Sequence, residues 1–255
     1  MKPADRHRTI LDLVRNRDTS VEALGAALNV SEATVRRDLA LLANQRLLVR
    51  THGGATALVG IHEPEATLEQ RKASRSDEKR IIAKAAAAYI QSGDTVFLDS
   101  GTTCAALAAH LCTCEDVHVI TNNLLAVMAL VNAPGVKLTL IGGDLRNSSM
   151  STLGPLAELV LSRLSVDRAF FGADGVVAEF GLCEASAQQA YLKECVIRRA
   201  AEIFVLADSE KLGRARQQHW TPLEREWRLI TSSTDDIELA PFRELARVTV
   251  EAVSV

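Results

Sequence analysis

The sequence predicts an α/β protein in which a mainly parallel sheet, covered by helices on both faces, follows a small helical unit. Three observations carry this. From Thr95 onward, short apolar runs (TVFLD, VHVIT, VKLTLI, RAFF, IFVLA, RLIT, VTVEAV) alternate with helical stretches, the pattern of strands buried on both sides. Ahead of them, apolar residues recur at helical spacing in three short stretches separated by turn signals. Charge divides at the same place: residues 1–60 carry nine Lys and Arg against six Asp and Glu, and the remainder carries 20 against 26. A modestly basic end on an acidic body suits a protein that touches nucleic acid at one end only, and it excludes an unstructured polycation.

The 255 residues, 47% hydrophobic and 24% charged, have ordinary globular composition and allow one or two domains. No run of about 18 apolar residues occurs, so no membrane span is expected. Met1-Lys2-Pro3 leads into charged residues, so no signal peptide is expected and the chain is placed in the cytosol. Five cysteines without a framework spacing fit reduced thiols. His110, Cys112, Cys114 and His118 cluster near one loop, but Cys-Thr-Cys is too close for easy chelation, so neither metal nor cofactor is expected.

In the basic part, Arg6–Val14 reads as a first helix with Ile10, Leu11, Leu13 and Val14 on its core side. Val21, Leu24 and Leu28 mark a second, with Ser20 as its N-cap. Asn29-Val30 makes a tight turn, asparagine being able to take the left-handed conformation. A third helix starts at Ser31, buries Val35, Leu39 and Leu42, and turns Ala33, Thr34, Arg36 and Arg37 outward, with Glu32 in its first turn. Two helices joined this way form a helix-turn-helix. Leu47-Leu48-Val49, flanked by Arg46, Arg50 and His52, adds a short wing ending at Gly53-Gly54. Arg36 and Arg37 are placed to read base edges, and Arg46 and Arg50 to hold phosphates. The expected DNA contacts are Ser31, Glu32, Ala33, Thr34, Arg36, Arg37, Arg46, Arg50 and His52, in a unit spanning 3–58. Residues 59–75, with Pro64 and a partly helical stretch around Leu68, read as a linker to a body over 76–253.

In the body, a small-residue helix reaches Ile90 and stops near Gly93. Strands are expected at 95–99, 117–121, 136–141, 168–171, 203–207, 228–231 and 248–253. Helices are expected at 104–111, 124–131, 155–164, 186–201 and 241–245. Ligands of such sheets bind at the carboxyl ends of the strands. The first strand ends in Asp99-Ser100-Gly101-Thr102-Thr103, whose glycine, hydroxyls and following helix N-terminus make a phosphate cradle. It has no Walker lysine and no dinucleotide glycine fingerprint. Capping of the helix by Ser and Thr is the bland alternative. Later strand ends bring Asn122 and Asn123, then Gly142, Gly143 and Arg146, then Gly172, Asp174 and Gly175, and finally Asp208 and Lys211; the last long helix carries Lys193. Asp174 as a turn cap and Lys193 as a solvated helix residue are the alternatives for those two. Together these strand ends fit a small polyhydroxylated anion, of which a sugar phosphate is the natural candidate.

Over essentially its whole length the chain resembles the DeoR family of transcriptional regulators. The resemblance rests on SEATVRRDLALL, RTHGGA, GDTVFLDSGTT, VITNN, IGGDLR, the Gly154-Pro155 pair, DRAFFGADG and DSEKLG. It implies a winged helix-turn-helix fused to a sensor domain related to ribose-5-phosphate isomerase and coenzyme-A transferases. It further implies a repressor of a carbohydrate operon, released from operator DNA by a phosphorylated sugar. One small helix-turn-helix unit seldom gives enough specificity alone, so a homo-oligomer, dimer or tetramer, is expected. By matching position, Asp99 to Thr103 would hold the phosphate, assisted by Arg146, Lys193 and Lys211. The chain departs from the family pattern at Asn29, Glu184, Gln189 and Glu210. Asn122, Asn123, Glu184 and Gln189 are the residues expected to set ligand specificity. The other reading is a sugar-phosphate isomerase in the body, with Asp174 and Lys193 as acid–base groups. Gln189 in place of a carboxylate, and a fused DNA reader, both count against turnover.

Overall fold

A proline in the first turn and a capping hydroxyl decide where the N-terminal helices begin. The computed structural model describes residues 2–14, 19–44, 47–51, 53–57 and 64–254. Helix α1 (Pro3–Val14) starts ahead of Arg6, because Pro3 is tolerated where no helical N–H is needed. The short strand β1 (Thr19–Ser20) leads into α2 (Val21–Leu28), whose first turn is capped by the Ser20 hydroxyl accepting from Ala23 N at 3.1 Å. Asn29 ends α2 at φ 52° and ψ 50°, the left-handed turn expected of it. Helix α3 (Glu32–Asn44) follows Ser31, whose hydroxyl accepts from Thr34 N at 3.3 Å. Ile10, Val14, Leu24, Leu28, Val35, Leu39 and Leu42 form one apolar core. On its margin the Asp38 carboxylate holds both Arg6 and His7 from α1, the latter at 3.0 Å. The Arg6 hydrogen bond keeps the Asp38 carboxyl below the usual carboxylate range.

The wing is longer than expected. β2 (Leu48–Thr51) pairs antiparallel with β3 (Gly54–Ala57), and β3 pairs with β1. Gly53 and Gly54 therefore belong to the turn and the return strand instead of ending the wing. At Gly54 a side chain is impossible, since a Cβ would stand 2.1 Å from Thr19 O.

Two helices precede the large sheet: α4 (Leu68–Ala73), with a reciprocal capping box between Thr67 and Gln70, and α5 (Ser76–Ala87). Then come β4 (Thr95–Leu98), α6 (Thr102–His110), β5 (Val117–Thr121), α7 (Leu124–Leu130) and β6 (Val136–Leu140). A hairpin of β7 (Asp144–Arg146) and β8 (Ser151–Leu153) follows, then α8 (Pro155–Leu161) and β9 (Val166–Phe171). β10 (Gly175–Val177) and β11 (Gly181–Glu184) precede α9 (Ala187–Ile197) and β12 (Ala200–Ala207). The chain closes with β13 (His219–Thr221), β14 (Trp227–Thr231), α10 (Asp236–Arg243) and β15 (Val248–Ala252). The helix expected over 186–201 thus yields its last residues to a longer β12.

Seven strands form the central sheet in the order β15-β14-β12-β9-β4-β5-β6, every pair parallel. Alternation sorts their side chains onto two helix-covered faces. Val96 and Leu98 meet Ile82, Ala83 and Leu107 on one side. Phe97 and Phe171 face Leu161, Leu192 and Phe242 on the other. β10, β11 and β13 make a small antiparallel sheet apart from it. After β4 the chain lays β5 and β6 to one side; β9, β12, β14 and β15 run to the other. Adjacent β4 and β9 are the point where strand order reverses, and the loops leaving their carboxyl ends part there. No helix among the described residues is long and apolar enough to cross a membrane.

Candidate functional site

The crevice at that reversal point, open to solvent at its mouth, is the candidate ligand site. One wall is the β4–α6 turn, Ser100, Gly101, Thr102 and Thr103. Gly101 has φ 105°, so a side chain there is disfavoured by backbone conformation although space is open around it. The opposite wall comes from Gly172, Ala173 and Asp174 after β9, with Asp208 and Lys211 after β12. Glu184 of β11 and Gln189 and Lys193 of α9 complete the depth, and Arg71 and Lys79 border it from α4 and α5.

Lys193 is the electrostatic centre. It is 1% exposed, its Nζ lies 2.8 Å from Asp99 Oδ2 and in ion-pair contact with Glu184, and it donates to Gly172 O. Asp99 Oδ2 also accepts from Gly172 N at 3.3 Å. One lysine thereby ties the ends of β4 and β9 to β11 and α9. It is not a solvated helix residue. Burial alone would depress its pKa, but Asp99 and Glu184 overcome this and hold it above the ordinary lysine value. Burial, reinforced by Asp174 and Asp99, pushes the Glu184 carboxyl up to about 8 despite Lys193. Burial also raises Asp208 and lowers Lys79.

Two acceptors in the depth, Gln189 Oε1 and Asp208 Oδ1, are buried without a hydrogen-bond partner in the protein. A buried acceptor left in that state costs on the order of 1–3 kcal/mol, so both are open to a donor that enters the crevice. Lys79 Nζ, by contrast, is engaged with main-chain oxygens, Arg71 O and Ser74 O, the latter at 2.5 Å. Lys211 Nζ reaches Asp174 O at 3.4 Å. Asp174 does cap a turn, its Oδ2 accepting from Ala185 N at 3.1 Å, and it borders the crevice as well.

Of the expected ligand residues, the structure gathers Ser100, Gly101, Thr102, Thr103, Gly172, Asp174, Glu184, Gln189, Lys193, Asp208 and Lys211 around one crevice, with Asp99 beneath them. It does not bring the others there. Asn123 caps α7 through Leu125 N and donates to Asp99 O and Gly101 O, at 3.1 and 2.9 Å, so it braces the cradle from behind. Asn122 donates to Thr152 O at 3.0 Å. Gly142, Gly143 and Arg146 follow β6, an edge strand two places from β4. At Gly143 a Cβ would stand 2.3 Å from Leu153 O, so this glycine serves the β7–β8 hairpin. Arg146 instead pairs with Glu65. Gly175 allows close passage of Arg214, whose carbonyl oxygen would lie 1.9 Å from a Cβ.

Arg71 and Lys79 were absent from the expected set. Lys79 did carry a signal: with Ile82, Ala83 and Ala86 it completes an i, i+3, i+4, i+7 buried face of α5. A lysine on such a face needs a reason.

On α3, Ser31, Glu32, Ala33, Arg36 and Arg37 are exposed, Thr34 is half-buried, and Arg50 is exposed on β2. Arg36 pairs with Glu32 at 2.8 Å. Arg46 and His52 lie outside the described residues. Of the Cys and His group, Cys112 Sγ faces Ala129 O at 3.3 Å and His118 bonds Thr139 Oγ1 at 2.9 Å.

Residues 6–59 match the family model of the DeoR-like helix-turn-helix domain, and residues 74–233 that of the DeoR C terminal sensor domain. The chain belongs to the DeoR family of transcriptional regulators. It is 34% identical over 251 residues to the HTH-type transcriptional regulator GlpR of Haloferax volcanii, covering 98% of each chain. It is 32% identical over 215 residues to the glycerol-3-phosphate regulon repressor of Escherichia coli K12, covering 84% of each. A ribose 5-phosphate isomerase from Methanocaldococcus jannaschii is similar over 54% of this chain and 55% of its own, at 24% identity and a TM-score of 0.41. In this DeoR-family chain the α2–α3 pair falls in the DNA-binding domain and the β4–β9 crevice in the sensor domain.

Proposed function

We propose that the chain represses a carbohydrate-catabolism operon and releases its operator when a phosphorylated sugar occupies the β4–β9 crevice. The observation that carries this is the division of groups in one crevice. Backbone and hydroxyls at Ser100–Thr103, with Lys79 and Lys211 nearby, suit a phosphate; Gln189 Oε1 and Asp208 Oδ1, buried acceptors, suit sugar hydroxyls. The glycerol-3-phosphate regulon repressor among its relatives supports the same ligand class. Thermal unfolding of the protein against a panel of phosphate esters and their unphosphorylated parents tests it. One ester is expected to raise the midpoint with concentration while its parent does not; no shift with any ester would overturn the reading.

At the other end, α3 lies with Arg37 exposed beside Thr34 and Arg36, a surface suited to base edges. Replacing Arg37 by alanine is expected to weaken operator binding by roughly tenfold and to relax base preference. Mobility-shift titration against operator and scrambled DNA checks this, and undiminished discrimination would move the reading face elsewhere. A small reader of this kind needs a second copy on a repeated half-site, so we read the working form as a homo-oligomer.

We read the crevice as binding without turnover. Supporting this, Lys193 is locked between two carboxylates instead of standing free to move a proton, and the matched relatives carry regulator names.

A further inference from the structure

Among the groups bordering the crevice, Arg71 alone comes from the segment that joins the two family domains, between the matches ending at residue 59 and beginning at residue 74. We propose that Arg71, on α4, is a ligand of the effector's phosphate, so that occupancy of the crevice is felt directly by the segment leading to the DNA-binding domain. The proposal rests on the sugar-phosphate reading of the crevice and adds the element through which that ligand acts.

The guanidinium of Arg71 is incompletely satisfied. Nη2 donates to Ser148 O and lies 3.4 Å from Glu65 Oε1, while Nε is buried without a hydrogen-bond partner. An arginine with a spare N–H at the edge of an anion-sized crevice is suited to a phosphate oxygen, which it can take together with a second N–H in a planar fork. The main chain of the same residue is held by the crevice too. Lys79 Nζ donates to Arg71 O and Ser74 O, and Thr102 Oγ1 donates to Arg71 O at 3.5 Å. An ammonium has three hydrogens, so Lys79 keeps one for an anion while clamping the last turn of α4 with the other two.

Glu65, the present partner of Arg71, is itself shared. It pairs with Arg146 and accepts from Ser148 Oγ at 3.2 Å. A phosphate and Glu65 therefore compete for one guanidinium, and Glu65 retains Arg146 when it loses. Binding draws Arg71 inward onto the phosphate, tightens α4 on Lys79, and frees the stretch around Glu65 from α4. A ligand moves an equilibrium only by contacts that differ between two states, and the Arg71 contact is one that differs.

The test uses the full-length protein and the ester with the largest effect in the thermal panel, with inorganic phosphate as a second probe. Hydrogen exchange of wild-type amides 68–75 is expected to slow on saturation with the ester. Arg71→Gln is expected to raise the ester's dissociation constant by roughly tenfold or more and to abolish that slowing. Glu65→Gln, which removes the competitor and leaves Arg71 in place, is expected to bind the ester at least as tightly as wild type. An ester that binds wild type with exchange at 68–75 unchanged, or that binds Arg71→Gln within a factor of about two, leaves the sugar-phosphate reading standing and overturns the role of Arg71. Failure of wild type to bind any ester or phosphate removes both.

Discussion

Replacing Lys193 by methionine is expected to destabilise the sensor domain by about 3–5 kcal/mol, a large share of the roughly 5–15 kcal/mol that holds an ordinary domain folded. Methionine is close to lysine in length and fits the same channel, so lost volume is a small part of the cost. The charge is the large part. Without the ammonium, the Asp99 carboxylate is left without its cation in a buried space beside Glu184, each 2% exposed or less, and Gly172 O loses its donor. Both tryptophans, Trp220 and Trp227, lie in the sensor domain, so their fluorescence in a urea titration reports this domain and not the DNA reader. Adding Asp99→Asn to Lys193→Met removes the stranded carboxylate and is expected to recover part of the loss. A single variant within about 1 kcal/mol of wild type would mean that the ion cluster contributes little, as exposed pairs do.

The same cluster shows what can and cannot be read from a sequence of this kind. Periodicity is local, so the buried face of α3, the Ser20 cap and the Asn29 turn were all legible, as was the alternation of TVFL and AFF in the central sheet. The phosphate-type turn after β4 was legible for the same reason: glycine, hydroxyls and helix start are contiguous. Sheet order is not local. Asn123 has the residue type of a ligand group and stands after β5, yet it is spent capping α7 and bracing Asp99 O and Gly101 O. Gly143 and Arg146 stand after β6, which lies at the sheet edge, and that loop is tied up by the β7–β8 hairpin and Glu65. Strands of three or four residues, such as β7, β8, β10, β11 and β13, are too short to show a period of two and were missed. Arg71 was missed because its partners are distant in sequence; its bond to Ser148 spans 77 residues.

Glu184 makes the stability of the sensor domain fall with rising pH, and the sign follows from its raised pKa. An unfolded glutamate releases its proton near pH 4.5, whereas burial holds the folded one to about 8. Between these values the folded state binds a proton that the unfolded state has lost, so stability declines across the window and the loss is complete above about pH 8. Each pKa unit is about 1.4 kcal/mol, so the decline amounts to a few kcal/mol. Lys193 adds no slope there, because a lysine raised above its ordinary value contributes in full throughout this range. At the acid end the order reverses. Glu65 and Glu78, held low by Arg146 and by Ser232 against the pull of burial, stabilise the fold above their unfolded pKa values and lose that contribution as pH drops through the folded ones. The unfolding midpoint is therefore expected to peak in mildly acidic solution, near pH 4.5, and to drop from there to about pH 8. Glu184→Gln cannot ionise, so its decline over that interval should be clearly shallower than that of the wild type, Asp208, also raised by burial, supplying what is left, while the acid limb remains. Parallel alkaline declines in the two proteins would assign the slope to another group and would place Glu184 among ordinary, ionised carboxylates.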